Sequence, residues 1–307
     1  MTSFGYNVLG FGSFFSRIPA ITRGVFATGA NTINTIDYIT IQSTGNATDF
    51  GDTSAGKYGV SGVSSLTRGV FAAGYAGTYI NVIEYITIAT PSNTTDFGDL
   101  TTAKRYTGGC ADATRGLIGG GQNGSVAFNV IEYITIATTG NGTDFGDLTV
   151  TRHSPASFAD STRGVWAGGS AQAANFLNTI DYVTIQSTGN ATDFGDLTTG
   201  TRDIGSAGLS DSTRGLVAGG SVDGAEGVTT IDYVTIQTTG NATDFGDLLA
   251  AKFQLAGCAD ATRGVWGGGN GSSNVIQYVT IQSTGNTTDF GDLTVGRGYA
   301  TALSGAA

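Results

Sequence analysis

The sequence predicts an all-β protein: a six-bladed β-propeller with four antiparallel strands per blade, whose last strand closes the first blade. Three observations carry this. A phrase clearest at 181–197, Asp-Tyr-Val-Thr-Ile-Gln-Ser-Thr-Gly-Asn-Ala-Thr-Asp-Phe-Gly-Asp-Leu, occurs six times. Its tyrosines Tyr38, Tyr85, Tyr133, Tyr182, Tyr233 and Tyr278 are each followed eleven residues later by Asp49, Asp96, Asp144, Asp193, Asp244 and Asp289. A second phrase, Thr-Arg-Gly with two apolar residues and a Gly-rich run, precedes each copy; its arginines Arg23, Arg68, Arg115, Arg163, Arg214 and Arg263 recur every 45–51 residues. No stretch carries a helical signal. A period of this length built only of strands is that of a propeller blade.

Each element follows from local chemistry. Residues 1–20 lie outside the repeat and carry Phe4, Tyr6, Leu9, Phe11, Phe14 and Phe15. So apolar a leader is expected either to pack on the propeller or to dock into a larger assembly. Thr-Arg-Gly-Val-Trp-Ala-Gly-Gly reads as a strand ending in glycines. Ile-Asp-Tyr-Val-Thr-Ile alternates and is rich in β-branched and aromatic residues, the pattern of a strand. Ser-Thr-Gly-Asn is a turn, since Gly and Asn accept positive φ cheaply. Ala-Thr-Asp-Phe-Gly-Asp-Leu is the next strand, and a fourth strand of small residues precedes the next Thr-Arg-Gly.

The spacing from the Asp-Phe aspartate to the next Thr-Arg-Gly arginine is 19 in four of five cases. Adding 19 to Asp289 reaches one residue past Ala307, so residues 293–307 are expected to supply the small-residue strand of the blade that starts at Ile21. Such closure removes an open sheet edge. From arginine to tyrosine, by contrast, the spacing runs 15, 17, 18, 19, 19 and 15. The variation falls in the loops 30–35, 75–82, 121–129, 170–179, 221–230 and 270–275.

Charge is sparse, with 24 acidic and 14 basic residues and a net charge of −10. Twelve acids are the Asp-Phe-Gly-Asp pairs and six bases are the Thr-Arg-Gly arginines. Six further bases are read as one position per repeat: Lys57, Arg105, Arg152, Arg202, Lys252 and Arg297. The negative balance argues against nucleic-acid binding, which needs a basic face. No apolar run reaches membrane-spanning length, and the N-terminus lacks the layout of a signal peptide. Cys110 and Cys258 hold the same place in opposite blades and read as small core residues rather than a disulfide.

With Arg202 before 204–209, Gly219-Gly220, Tyr233 and Phe245 in that order, the repeat over residues 21–307 resembles the kelch family. That unit has an Arg before its first strand, a double Gly ending its second, a Tyr in its third and an aromatic in its fourth. The chain departs from it with Phe where kelch units have Trp, and with Thr28-Gly29-Ala30 and Ala73-Gly74-Tyr75 in place of the double Gly. The close likeness of the repeats and the leader Phe-Gly-Tyr-Asn-Val-Leu-Gly-Phe-Gly-Ser at 4–13 resemble repeat proteins encoded by marine bacteriophages. That resemblance implies a virion protein, a tail fibre or surface appendage, anchored to other virion proteins through residues 1–20. The kelch pattern implies that the variable loops share a face with the connections carrying Lys57-Tyr58, Arg105-Tyr106, Arg152-His153, Arg202-Asp203, Lys252-Phe253 and Arg297.

The chemistry legible in the residues is that of binding. A single His153 leaves little for metal or triad chemistry, and no cofactor or metal site is expected. The Asp-Phe-Gly-Asp aspartates are too few at one place for calcium; they are expected to bond turn amides and arginines. The Thr-Arg-Gly arginines are expected to clamp carbonyls or carboxylates in every blade. Six Asn-x-Thr sequons, starting at Asn46, Asn93, Asn141, Asn190, Asn241 and Asn286, sit in the turns. Ligand contact falls to loop residues that break the repeat: Tyr58, Tyr75, Tyr79, Tyr106, Gln122, Asn123, Phe128, Asn175, Phe176 and Phe253, with Asp223, Glu226 and Asn270. Aromatic platforms beside amides and acids suit sugar rings or a protein epitope. The reading is a non-enzymatic module that presents loops to a host receptor or surface polysaccharide. The alternatives are a purely architectural or capsid-decorating part and a glycan-cleaving enzyme.

Overall fold

The computed structural model describes residues 22–124, 126–171, 175–199, 207–222 and 226–307. The leader at 1–20, Arg202, Asp203 and Asp223 lie outside them. Six four-stranded antiparallel sheets form the blades. Blade II shows the plan: Ser61–Ser64, Arg68–Ala72, Val82–Thr87 and Thr95–Asp99 pair in sequence order. Blades III to VI repeat it, beginning with Gly108–Ala111, Ala156–Ala159, Gly208–Ser210 and Leu255–Ala259. These first strands are the innermost and touch one another in cyclic order around the axis, which is why they are rich in Gly, Ala, Ser and Cys, with single larger residues such as Val63, Phe158 and Leu209 turned into the core between blades. Blade I is closed by the far end of the chain. Thr301–Ala306 pairs with Thr22–Gly29, from Thr22↔Ala306 to Ala27↔Thr301.

The core lies between blades. Val25, Ile36 and Phe50 of blade I meet Val60, Phe71 and Ile86 of blade II, with Leu303 of the closing strand among them. Trp166 and Trp266 are fully buried, and each reaches back to the preceding blade, donating to Gly108 O and Ala207 O at 3.0 Å.

A β-bulge recurs in every blade where the third and fourth strands pair. Ile36 faces Gly51 while Asp37 faces Asp49, so Phe50 is the extra residue, and it turns into the core. The glycine after this Phe is held at positive φ (142° at Gly146) with the next blade's turn carbonyl, that of Gly189, against it. A Cβ there meets both a backbone penalty and a collision. The double glycine is held left-handed too, at 66° and 109° for Gly219-Gly220. Thr28 and Ala73 keep the same conformation at 62° and 66°, and both are fully buried. Strain of about 1–2 kcal/mol at each is carried by the surrounding blade.

The arginines of Thr-Arg-Gly stitch the ring. Each Nη1 donates to the carbonyl just past the third strand of the next blade. Arg23 reaches Ile88, Arg68 Ile136, Arg115 Ile185, Arg163 Ile236, Arg214 Ile281 and Arg263 Ile41, at 2.6–3.0 Å. Each guanidinium also lies 4.2–4.5 Å over its own blade's Tyr ring. That Tyr in turn meets the bulged Phe edge-on at 5.9–6.2 Å. A charge-assisted hydrogen bond plus a cation–π contact contributes roughly 1–3 kcal/mol per junction. The sequon asparagines do the same outside. Asn93, Asn141, Asn190, Asn241, Asn286 and Asn46 each accept, through Oδ1, the amide of the second aspartate of the preceding blade at 2.9–3.1 Å.

The Asp-Phe-Gly-Asp carboxylates do not meet these arginines. Asp49, Asp96, Asp144, Asp193, Asp244 and Asp289 are exposed on the outer strands. The turn amides are held instead by Asp112, Asp160, Asp211 and Asp260 ahead of four of the Thr-Arg-Gly copies, and by Ser65 in blade II.

Candidate functional site

Two different faces emerge from this plan. On one, uniform turns carry Asp112, Asp160 and Asp211, each capping a turn and accepting from a glutamine of the next blade (Gln186, Gln237, Gln282) at 2.5 Å. Burial opposes their ionisation, but these hydrogen bonds outweigh it and hold all three below the usual carboxylate range. A depression of about 490 Å³ at this end and an axial cavity of about 170 Å³ above it are lined mainly by inner-strand backbone and small side chains. The free thiols of Cys110 and Cys258 line the smaller cavity, and burial pushes both up, which leaves them protonated and unreactive.

On the other face the variable loops and the interblade connections meet. Bridges join Tyr58 to Tyr75, Arg105 to Gln122, His153 to Ser170 and Ser221 to Gly227. Beneath them runs a set of buried ion pairs: Lys57–Glu84 at 2.5 Å, Lys104–Glu132 at 3.0 Å, Arg152–Asp181 at 2.8 Å and Arg297–Asp37 at 2.7 Å. The acids are the residues just before each repeat tyrosine, which sequence reasoning passed over. In blade VI that position is Gln277, and Lys252 donates to Asn270 O at 3.3 Å.

These pairs correct one assignment. The repeated base of blade III is Lys104, four residues past Leu100 as Arg152 is past Leu148, and not Arg105. The slot is already filled, so Arg105 stands outside the repeat, half-buried among the loops. There its backbone exchanges two hydrogen bonds with Gln122, at 3.0 and 2.8 Å.

Around Arg105 stand the tyrosines. Its guanidinium lies 4.6 Å from the ring of Tyr106 and 5.1–5.4 Å from those of Tyr75, Tyr58 and Tyr79. Nη1 donates to the Tyr58 hydroxyl at 2.5 Å, while Nε is buried without a hydrogen-bond partner. Tyr299, which sequence reasoning missed, packs 4.9 Å from Tyr106 and 5.9 Å from Tyr58. Its signal was available: it follows Leu293 at the spacing by which Tyr106 follows Leu100. Burial first, then the charge of Tyr299, pushes the Tyr106 phenol well above its ordinary value.

The backbone under the cluster is a ring of left-handed residues just ahead of the inner strands. Gly59, Tyr106, Ser154, Gln254 and Tyr299 have φ of 69°, 60°, 53°, 63° and 55°. Gly59 N donates to Tyr299 O, Tyr106 N to Gly59 O and Ser154 N to Tyr106 O, at 2.7–3.2 Å. Non-glycine residues in this region mark a function or a constraint.

The other sequence-selected residues scatter. Asn123 is exposed and donates to Ala103 O at 2.9 Å. Phe128 and Phe253 are half-buried, and Glu226 is exposed. Asn270 accepts from Phe253 N at 3.2 Å. Asn175 pairs with Ala171 in a short hairpin. Phe176 is only 8% exposed, so it anchors that hairpin and offers no platform.

His153 borders the cluster, 6.1 Å from Tyr106, with Nδ1 3.2 Å from Ser154 Oγ. Burial, then the Arg105 charge, push it down from 6.5 to about 4. A base with a depressed folded pKa binds fewer protons folded than unfolded between those two values. The His153 contribution to stability should therefore fall as pH drops from 6.5 to about 4 and level off below, by on the order of 3 kcal/mol. Urea midpoints against pH for the native chain and His153→Gln test this; parallel curves through that window would refute it.

The chain matches no protein-family model and no curated protein.

Proposed function

We propose that this propeller is a non-enzymatic binding module of kelch-like type, carried on a bacteriophage virion as part of a tail fibre or surface appendage. It presents one loop face to a host-surface polysaccharide or receptor. The observation that supports binding is the cluster of Tyr58, Tyr75, Tyr79, Tyr106 and Tyr299 around Arg105. Among the described residues five blades repeat a structural base beneath the loops, and blade III adds a second one outside that role. Chemistry that breaks a repeated pattern, on loops held by a rigid scaffold, is where recognition sits. Flat rings with hydroxyl tips suit the faces and edges of sugars.

Labelled purified protein should bind bacterial cells and their isolated surface polysaccharides saturably. A variant with the 75–82 loop cut to the length of the 30–35 loop should lose that binding and keep the near-ultraviolet circular dichroism of buried Trp166 and Trp266. Absence of binding by the intact protein would leave an architectural virion part. Cleavage of the polysaccharide, abolished in His153→Ala, would make the protein a glycan-cleaving enzyme.

A further inference from the structure

The cluster around Arg105 carries a more specific reading, which rests on the glycan-binding proposal. Among the described residues Arg105 has no carboxylate partner. The acids of the repeat in blades II and III, Glu84 and Glu132, are buried and held by Lys57 and Lys104. Its guanidinium is half-enclosed by rings, spends one donor on the Tyr58 hydroxyl and leaves Nε unpaired.

A guanidinium recognises planar anions by paired hydrogen bonds. Tyrosine rings around it supply apolar faces for a pyranose, and the hydroxyls of Tyr75 and Tyr79 supply edges. His153, held neutral at ordinary pH, adds no second charge. One positive charge suits one carboxylate. A phosphodiester chain or nucleic acid would call for a row of such charges, and the surrounding excess of acid would oppose it.

We infer that the Arg105–tyrosine cluster binds a carboxylate-bearing sugar, a residue of the uronic or sialic type, with the carboxylate on Arg105 and the ring against Tyr75 and Tyr106.

The test needs no variant at first. Trigalacturonate and di-N-acetylneuraminate are titrated into the full chain by calorimetry, beside their methyl esters and neutral maltotriose. At least one free acid should bind, and its ester should bind at least tenfold more weakly. Arg105→Gln should abolish the preference for the acid over its ester, and Arg105→Lys should recover part of that preference. Near-ultraviolet circular dichroism of Trp166 and Trp266 reports whether each variant is folded.

Equal binding of acid and ester, or a folded Arg105→Gln with undiminished acid binding, would overturn the inference and leave a neutral-glycan module standing. Displacement by inorganic phosphate at lower concentration than by acetate would overturn it in favour of a phosphorylated ligand. Failure of every sugar here, with polysaccharide binding intact, would overturn the acidic-sugar assignment alone; failure of both would remove the glycan reading with it.

Discussion

A chain lacking residues 299–307 should no longer unfold as a single cooperative unit. The strand Thr301–Ala306 is the innermost strand of blade I, and its removal strips the ladder from Thr22 to Ala27. It also takes Leu303 out of the cluster shared by blades I and II and breaks the cycle of inner-strand contacts on both sides. A buried leucine alone is worth about 2–5 kcal/mol. The lost ladder and the exposed edge add to that, against a total of about 5–15 kcal/mol for a typical domain. The truncated protein should show weakened near-ultraviolet circular dichroism, because Trp266 lies in blade VI beside the opened seam. A synthetic peptide of residues 293–307 should restore it in trans. An unchanged melting curve after truncation would show that closure is not what holds the ring.

The second large effect concerns the buried ion pairs. Where the base is lysine the acid is glutamate, as in Lys57–Glu84 and Lys104–Glu132; where it is arginine the acid is aspartate, as in Arg152–Asp181 and Arg297–Asp37. The long side chain meets the short one, so the combined reach is kept within a slot of constant size. The acid has a second task that both lengths perform, accepting the amide just past the outer strand: Thr101 N at 2.7 Å to Glu132 and Thr149 N at 3.1 Å to Asp181. Arg152→Lys should therefore cost about 3 kcal/mol, since a shortened cation leaves a fully buried carboxylate poorly paired. Adding Asp181→Glu should recover roughly half of this or more, because the Lys–Glu pair is the one that blades II and III already carry. The remainder is the loss of the Arg152 bonds to Gly168 O and Thr179 O, at 3.0 and 2.8 Å. A double-mutant cycle from urea unfolding reads the coupling. A double variant no more stable than Arg152→Lys alone would refute reach-matching.

Much of the architecture was legible because a tandem repeat states it many times over. The invariant eleven-residue spacing from tyrosine to aspartate places two paired strands, and the missing piece at one end of the period is found at the other. The bulge was less accessible. Simple alternation turns the two aspartates of Asp-Phe-Gly-Asp to opposite faces, whereas the extra Phe50 in the ladder shifts the register and leaves Asp49 in water. A bulge is one residue of slack in a pairing, and one strand read alone does not reveal it.

The candidate site was half legible. Tyr58, Tyr75, Tyr79 and Tyr106 could be singled out because they depart from the repeat, but Phe176 departs from it equally and is buried. The neighbouring pair Lys104-Arg105 shows the limit most clearly. Both are basic; the four-residue step from Leu100 points to Lys104, but Arg202, five residues past Leu197, shows that this step is not kept in every repeat. By itself the sequence determined the number of blades, the order of strands and the circular closure, because these follow from periods along one chain. Only the tertiary structure decided which base is buried against Glu132 and which stands among tyrosines. That choice depends on a slot whose walls come from strands far apart in sequence, and its size is set by their packing.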